Sequence, residues 1–200
     1  MMRFFWSYLG VIKDFRYLCV FKIPELMSID TLKQHLRTVP DFPKKGILFY
    51  DITTLFKDAA CFKELSDRLY EMYKDKGITK VVGVESRGYA LGAILAERLG
   101  AGFVMVRKAG KLPAEVYRES YDLEYGQSTI EIHKDSISSD DVVLLHDDLL
   151  ATGGTMDAAL RLVSKSNPKA VYLNFIIELM DLGGRNVFPQ NIEVTSVLQL

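Results

Sequence analysis

Residues 142–155 read VVLLHDDLLATGGT, and this stretch constrains the fold more than any other in the 200-residue chain. Val142, Val143, Leu144 and Leu145 form an uninterrupted apolar run, the pattern of a strand buried on both faces of a parallel sheet. Asp147 and Asp148 follow at its carboxyl end, where open α/β sheets place their ligands. Ala151-Thr152-Gly153-Gly154-Thr155 then leads into Met156, Ala159, Leu160 and Val163, apolar at helical spacing. The order is strand, acidic pair, glycine loop, helix, and it demands a sheet with helices packed on it.

Each residue type in the stretch has a chemical use. Gly153 and Gly154 let the backbone turn sharply and bring N–H groups close to a phosphate. Thr152 and Thr155 add hydroxyl donors, and the helix start adds unpaired N–H groups with a partial positive charge. Adjacent carboxylates repel, so the pair calls for donors or a cation, and a sugar diol with Mg²⁺ supplies both. A solvated turn before an ordinary helix cap would also use glycines, but the whole ordered string favours a ligand site. His146 reads as a packing residue at the strand end.

The rest of the chain alternates strands and helices from residue 27 onward, which indicates a parallel α/β sheet. Ser28 or Asp30 caps a helix carrying Ile29, Leu32 and Leu36, and Pro40 and Pro43 end it in an extended, turn-rich link. Cys61 to Lys76 has Phe62, Leu65, Leu69 and Met72 at helical spacing, closed by Gly77. Core strands are expected at Val81–Val84, Phe103–Val106 and Ala170–Ile177, with alternation at Ile130 and Ile132 and a late edge strand at Ile192–Leu198. Tyr89–Leu99 is a helix stopped by Gly100. Ala109–Gln127 has no convincing period and reads as an irregular lid.

Two further loops carry charge where a sheet's carboxyl edge is expected. Glu85-Ser86-Arg87-Gly88 follows the first core strand and offers one cation and one hydroxyl to a phosphate. Arg107 and Lys108 end the second, and Lys111 follows in the lid; three cations beside a polyanion site suit phosphate neutralisation.

Composition limits the alternatives. A net charge of −1 leaves no broad nucleic-acid footprint, so anion binding rests on a few placed cations and a metal ion. Apolar content of 48% and charged content of 26% suit one globular domain. Cys19 and Cys61 have no metal-ligand spacing and fit a reduced, cytoplasmic protein. No apolar run approaches the ~20 residues that span a bilayer.

The motif at 147–155 resembles the phosphoribosyl pyrophosphate motif of the type I phosphoribosyltransferases, and DDLLATGGT is most similar to the adenine-specific members. The resemblance runs from about Ser28 to the C-terminus and implies their fold: a parallel sheet flanked by helices, a small N-terminal hood and a flexible lid loop. It implies that Asp147 and Asp148 hold the ribose and that Ala151, Thr152, Gly153, Gly154 and Thr155 wrap the 5′-phosphate. His146 departs from the family, which usually has an aliphatic residue there. ESRG at 85–88 resembles the family's pyrophosphate loop, often in a non-proline cis form, and RKAGKLP at 107–113 resembles its flexible-loop entrance. Pyrophosphate is then bound by Glu85, Ser86, Arg87, Arg107, Lys108 and Lys111. SYDLEYG at 120–126 matches the loop whose glutamate, here Glu124, is the acid/base group at the purine N7, with Tyr125 packing over the closed site. Catalytic roles fall to Glu124, Arg87 and Lys111. GILFYDIT at 46–53 and Glu178-Leu179 match the base pocket, with Leu48, Phe49, Tyr50 and Leu179 around the purine; many members have Arg where Tyr50 stands.

What the resemblance implies is conversion of adenine and phosphoribosyl pyrophosphate into AMP and pyrophosphate, for purine salvage. Mg²⁺ is the implied cofactor, bound mainly through the substrate with no direct protein ligand, and a cytoplasmic homodimer is the implied assembly, without nucleic-acid or membrane partners. A transferase for another purine base, or a phosphoribosyl pyrophosphate sensor on the same fold, is the alternative. Residues 1–26 stand apart as an aromatic-rich extension without a clean helical stripe or cleavage site. Residues 27–200 are expected to form a single phosphoribosyltransferase domain, so that a chain starting at Met27 folds and turns over adenine like the full chain.

Overall fold

The computed structural model describes residues 27–122 and 127–200; the extension at 1–26 lies outside the described residues. Ser28 caps α1 (Ile29–His35), its hydroxyl accepting from the Thr31 N–H at 3.1 Å, a contact worth about 1 kcal/mol. The proline-rich link that follows is more regular than its sequence implies. β1 (Arg37–Pro40) and β2 (Leu48–Asp51) form an antiparallel hairpin, from Arg37 opposite Asp51 to Pro40 opposite Leu48. Asp41 turns the chain at φ 58°, and its carboxylate accepts from the Gly46 N–H at 2.6 Å.

α2 (Thr53–Lys57) leads into α3 (Ala59–Tyr73), which starts two residues before Cys61 because Asp58 caps it, accepting from the Cys61 N–H at 2.9 Å. β3 (Lys80–Val84) is followed by α4 (Gly88–Leu99), which ends at Gly100 in the left-handed region. Next come β4 (Gly102–Lys108), β5 (Val116–Asp122), β6 (Gln127–His133) and β7 (Val142–Leu150). α5 (Gly154–Ser164), β8 (Ala170–Glu178), two 3₁₀ turns at Met180–Leu182 and Gly184–Val187, and β9 (Glu193–Gln199) complete the described chain.

Seven strands make one sheet in the order β5-β6-β4-β3-β7-β8-β9. β4, β3, β7, β8 and β9 run parallel; at one end β6 pairs antiparallel with β4, and β5 pairs antiparallel with β6. β9 is the other edge, where the late strand at Ile192–Leu198 is expected. The expected irregular lid is therefore half regular: Val116–Asp122 pairs with β6 residue for residue, Val116 opposite His133 through Asp122 opposite Gln127. Alternating Tyr117, Glu119 and Tyr121 against Arg118 and Ser120 hid the strand, because charges sit on both faces.

Two cores flank the sheet. One holds the α5 residues Met156, Ala159 and Val163 with Val82, Leu145 and Phe175. The other holds the α3 and α4 residues Leu65, Leu69, Leu91 and Leu95 with Val81, Leu144 and Ile176. The helices that follow β3 and β7 thus lie on opposite faces. Loops leaving the neighbouring strands β3 and β7 diverge there, opening the crevice where doubly wound sheets bind ligands.

His146 is fully buried in β7, packed so closely under α4 that its Cδ2 lies 3.4 Å from where a Cβ on Gly92 would stand. Its Nδ1 is 2.8 Å from Asn174 Oδ1, Asn174 donates to Thr195 Oγ1 at 2.9 Å, and Thr195 meets the Tyr73 hydroxyl at 2.5 Å. Oδ1 only accepts, so Nδ1 carries a proton, and the buried Nε2 has no hydrogen-bond partner to hold a second one, which favours the neutral ring. Burial lowers its pKa to about 4, against 6.5 in the unfolded chain, with the Asn174 bond opposing. A proton that the unfolded state binds and the native state refuses destabilises the fold: the stability is full above pH ~6.5 and declines as pH falls toward ~4. The difference is on the order of 3 kcal/mol. Urea unfolding of the metal-free protein and of His146→Leu between pH 4 and 7 should show that decline shallower in the variant. Equal slopes would mean that His146 is not the group responsible.

Candidate active site

β7 does not stop at the apolar run. Its pairing with β8 continues to Leu150 opposite Glu178, so the acidic pair lies on the strand instead of in the loop after it. The backbone N–H of Asp148 donates to Asp147 Oδ1 at 2.9 Å. Asp148, 5% exposed, is ion-paired with Arg87 from the β3–α4 loop. Burial and the neighbouring Asp148 charge push the Asp147 carboxyl well above its ordinary range. Burial raises Asp148 as well, opposed by Arg87. One guanidinium for two carboxylates leaves the pair short of positive charge. Gly88 allows this proximity: a Cβ there would lie 2.7 Å from the His146 carbonyl oxygen and 3.0 Å from Asp147 Oδ1.

The glycine loop follows directly. Gly153, at φ 86°, is the N-cap of α5, and the first-turn N–H groups of that helix open toward the crevice. A cavity of about 430 Å³ runs between the two loops, lined by Glu85, Ser86, Arg87, Tyr121, Asp147, Asp148, the 149–156 segment and Phe175. All seven residues assigned to the ribose and 5′-phosphate are therefore brought to one cavity, together with three assigned to pyrophosphate. Tyr121 and Phe175 were assigned no role from sequence; Phe175 hid inside an apolar strand whose face only the fold decides.

The Glu85–Ser86 peptide is cis, the form the resemblance implies. A carboxylate offers an anion no donor, and Glu85 instead gathers cations. It is ion-paired with Lys111, lies 3.5 Å from Arg107 Nε, and accepts from the Lys108 N–H at 2.9 Å. Burial raises its pKa, but Lys111, the Lys108 N–H and Arg107 outweigh burial and hold it below the ordinary value. Arg107 also donates from Nη1 to the Lys111 carbonyl at 3.4 Å. The side chains of Arg107 and Lys111 thus sit on one carboxylate at the cavity rim.

The residues expected around the base are not drawn into this cavity. Leu48, Phe49 and Tyr50 lie on β2, where Phe49 packs edge-on against Phe42 with centroids 5.1 Å apart and Leu48 is 48% exposed. Leu179 leaves β8 at the sheet's carboxyl edge, its N–H donating to the Leu150 carbonyl at 2.9 Å. Glu124 and Tyr125 lie outside the described residues.

An acidic pair and a glycine-capped helix at the switch point of a parallel sheet, with cations gathered on the facing loop, define a sugar-phosphate transferase site. The phosphoribosyl transferase domain model matches residues 52–183, and the chain belongs to that family. Within the family the chain is similar to adenine phosphoribosyltransferases. That of Bacteroides thetaiotaomicron is 65% identical over 175 residues, covering 88% of this chain and 99% of the relative. The adenine phosphoribosyltransferase structure from Rhodothermus marinus matches with TM-score 0.80 at 50% identity, covering 86% of this chain and 98% of that one. The Giardia lamblia enzyme, solved with 9-deazaadenine, matches with TM-score 0.82 at 43% identity, covering 87% and 98%.

Proposed function

We infer that this protein transfers the 5-phosphoribosyl group of phosphoribosyl pyrophosphate to adenine, forming AMP and pyrophosphate in purine salvage. The observation that carries the reading is the continuous placement of Asp147, Asp148 and the 151–155 loop along one cavity, opposite Arg87. In this reading Asp147 and Asp148 accept from the ribose hydroxyls, while the Gly153–Thr155 backbone and the Thr152 and Thr155 hydroxyls donate to the 5′-phosphate. Arg87, Lys108 and Lys111 neutralise the departing pyrophosphate, with Ser86 and Arg107 beside them; Glu85 is the counter-charge of Lys111 and Arg107, and Asp148 that of Arg87. Leu48, Phe49 and Tyr50 on one side and Leu179 on the other enclose the purine, and Tyr125 covers it. Glu124 handles the proton at N7. Displacement at the sugar C1 then proceeds with inversion, and the protein contributes mainly positioning and charge stabilisation.

The residues present fit Mg²⁺. Asp147 and Asp148 offer the hard oxygen donors that this ion favours, and the raised pKa of Asp147 marks a place short of positive charge. Held mainly by substrate oxygens and facing these two residues, the ion would reduce the charge on the departing pyrophosphate. A cytoplasmic homodimer completes the reading. The buried free thiol of Cys61 agrees with a reducing compartment, and no described helix is long and apolar enough to cross a membrane.

A pyrophosphate-release assay with adenine, hypoxanthine, guanine and xanthine in turn tests the base. Adenine is expected to exceed each other base by at least a hundredfold in kcat/KM, since a 6-oxopurine presents a donor at N1 where adenine presents an acceptor, and backbone groups that pair with adenine would be left unpaired. Comparable rates with a 6-oxopurine would overturn the adenine reading.

A further inference from the structure

We propose that the turn at 183–187, fixed by Arg185, is a positioning element that sets the shape of the 151–155 loop and hence its grip on the substrate's 5′-phosphate. The inference rests on the reading that this loop holds that phosphate. The turn and the loop meet glycine against glycine. A Cβ on Gly184 would lie 2.1 Å from the Ala151 carbonyl oxygen and 3.0 Å from Leu150 Cδ1. A Cβ on Gly153 would lie 2.6 Å from the Gly184 carbonyl oxygen and 2.7 Å from Val187 Cγ2. Separations of that kind leave no slack: either segment moves only if the other does.

Something must then hold the turn, and Arg185 does. Its Nε donates to Glu178 Oε1 at 2.8 Å, its Nη2 pairs with Oε2 of the same carboxylate, and its Nη1 donates to the Val194 carbonyl at 2.6 Å. Glu178, 3% exposed, ends β8 and also accepts from the Ser196 hydroxyl of β9 at 2.6 Å. The guanidinium thus ties the turn to the carboxyl end of β8 and to the edge strand β9 by the planar, two-pronged geometry that lysine lacks. No atom of Arg185 lines the cavity that holds the acidic pair, so its effect reaches the phosphate through the turn and the loop.

The test uses the full chain and four variants, Gly184→Ala, Arg185→Gln, Arg185→Lys and Thr155→Val. For each, KM for phosphoribosyl pyrophosphate, KM for adenine, the Kd for ribose 5-phosphate by calorimetry and the melting temperature are measured. Gly184→Ala and Arg185→Gln are expected to raise KM for phosphoribosyl pyrophosphate and Kd for ribose 5-phosphate at least tenfold. KM for adenine should change less than threefold, and Arg185→Lys should recover only part of the loss. If Arg185→Gln keeps normal ribose 5-phosphate affinity while Thr155→Val loses it, the loop reading stands and the positioning role is wrong. If Thr155→Val also binds normally, the loop reading itself fails and takes the inference with it. Should Gly184→Ala not fold, the comparison of Arg185→Gln with Arg185→Lys decides. Losses in those two that follow melting temperature alone, with both substrates affected equally, would overturn the proposal.

Discussion

Replacing Asp147 and Asp148 together by asparagine is expected to raise KM for phosphoribosyl pyrophosphate at least a hundredfold while leaving the fold intact. Hydrogen bonds from substrate hydroxyls to charged acceptors are worth roughly 1.5–3 kcal/mol each, and two lost together exceed two orders of magnitude in affinity. Asparagine keeps the shape, so His146, Gly88 and the β7–β8 pairing are undisturbed. The melting temperature should hold or rise. Both carboxyls are raised by burial, so in the empty protein the pair costs stability that neutral amides do not, although Arg87 loses its partner. Steady-state kinetics with saturating Mg²⁺, alongside thermal melts, measure both quantities. An unchanged KM would remove the ribose from this end of β7; a collapse in melting temperature would make the pair structural.

Glu124→Gln is expected to act on the other substrate. A lost acid/base group costs about two to four orders of magnitude in turnover, so kcat should fall by about a hundredfold or more. KM for phosphoribosyl pyrophosphate should change less than threefold, because the carboxylate serves the purine and not the sugar. The two variants therefore separate along orthogonal parameters, one in KM for the phosphoribosyl donor and one in kcat. Pre-steady-state measurement of AMP formation with both substrates saturating isolates the chemical step. Near-normal turnover would mean that the LEYG match at 123–126 assigns the wrong proton carrier.

The central motif was legible because its chemistry and its fold need the same residues. A buried parallel strand must be apolar, a phosphate loop must be glycine-rich, and a helix must begin where the loop ends; residues 142–164 meet each demand in order. Capping was readable for the same reason, with Ser28 and Gly100 standing where their conformations require them. Less legible was anything decided by pairing across long sequence distances. β5 carries charges on both faces because its partners are Glu131 for Arg118 and Arg161 and Lys165 for Glu119, and local periodicity does not see such partners. The continuation of β7 through its own acidic pair was hidden likewise, since β8 sets that length. The mutual packing of Gly153 and Gly184 joins residues 31 positions apart, and a glycine in a late turn looks like any other. Glu85 read as part of an anion-binding loop by position; only the fold shows that it holds Arg107 and Lys111 from the neighbouring strand and lid.

The product tests the transfer to adenine most directly. Purified protein incubated with adenine, phosphoribosyl pyrophosphate and Mg²⁺, followed by ³¹P and ¹H NMR, should yield AMP and pyrophosphate in equal amounts. The sugar should be attached to the purine in the β configuration, inverted from the α-linked donor. Pyrophosphate released without adenine, AMP of retained configuration, or no AMP at all would contradict the account.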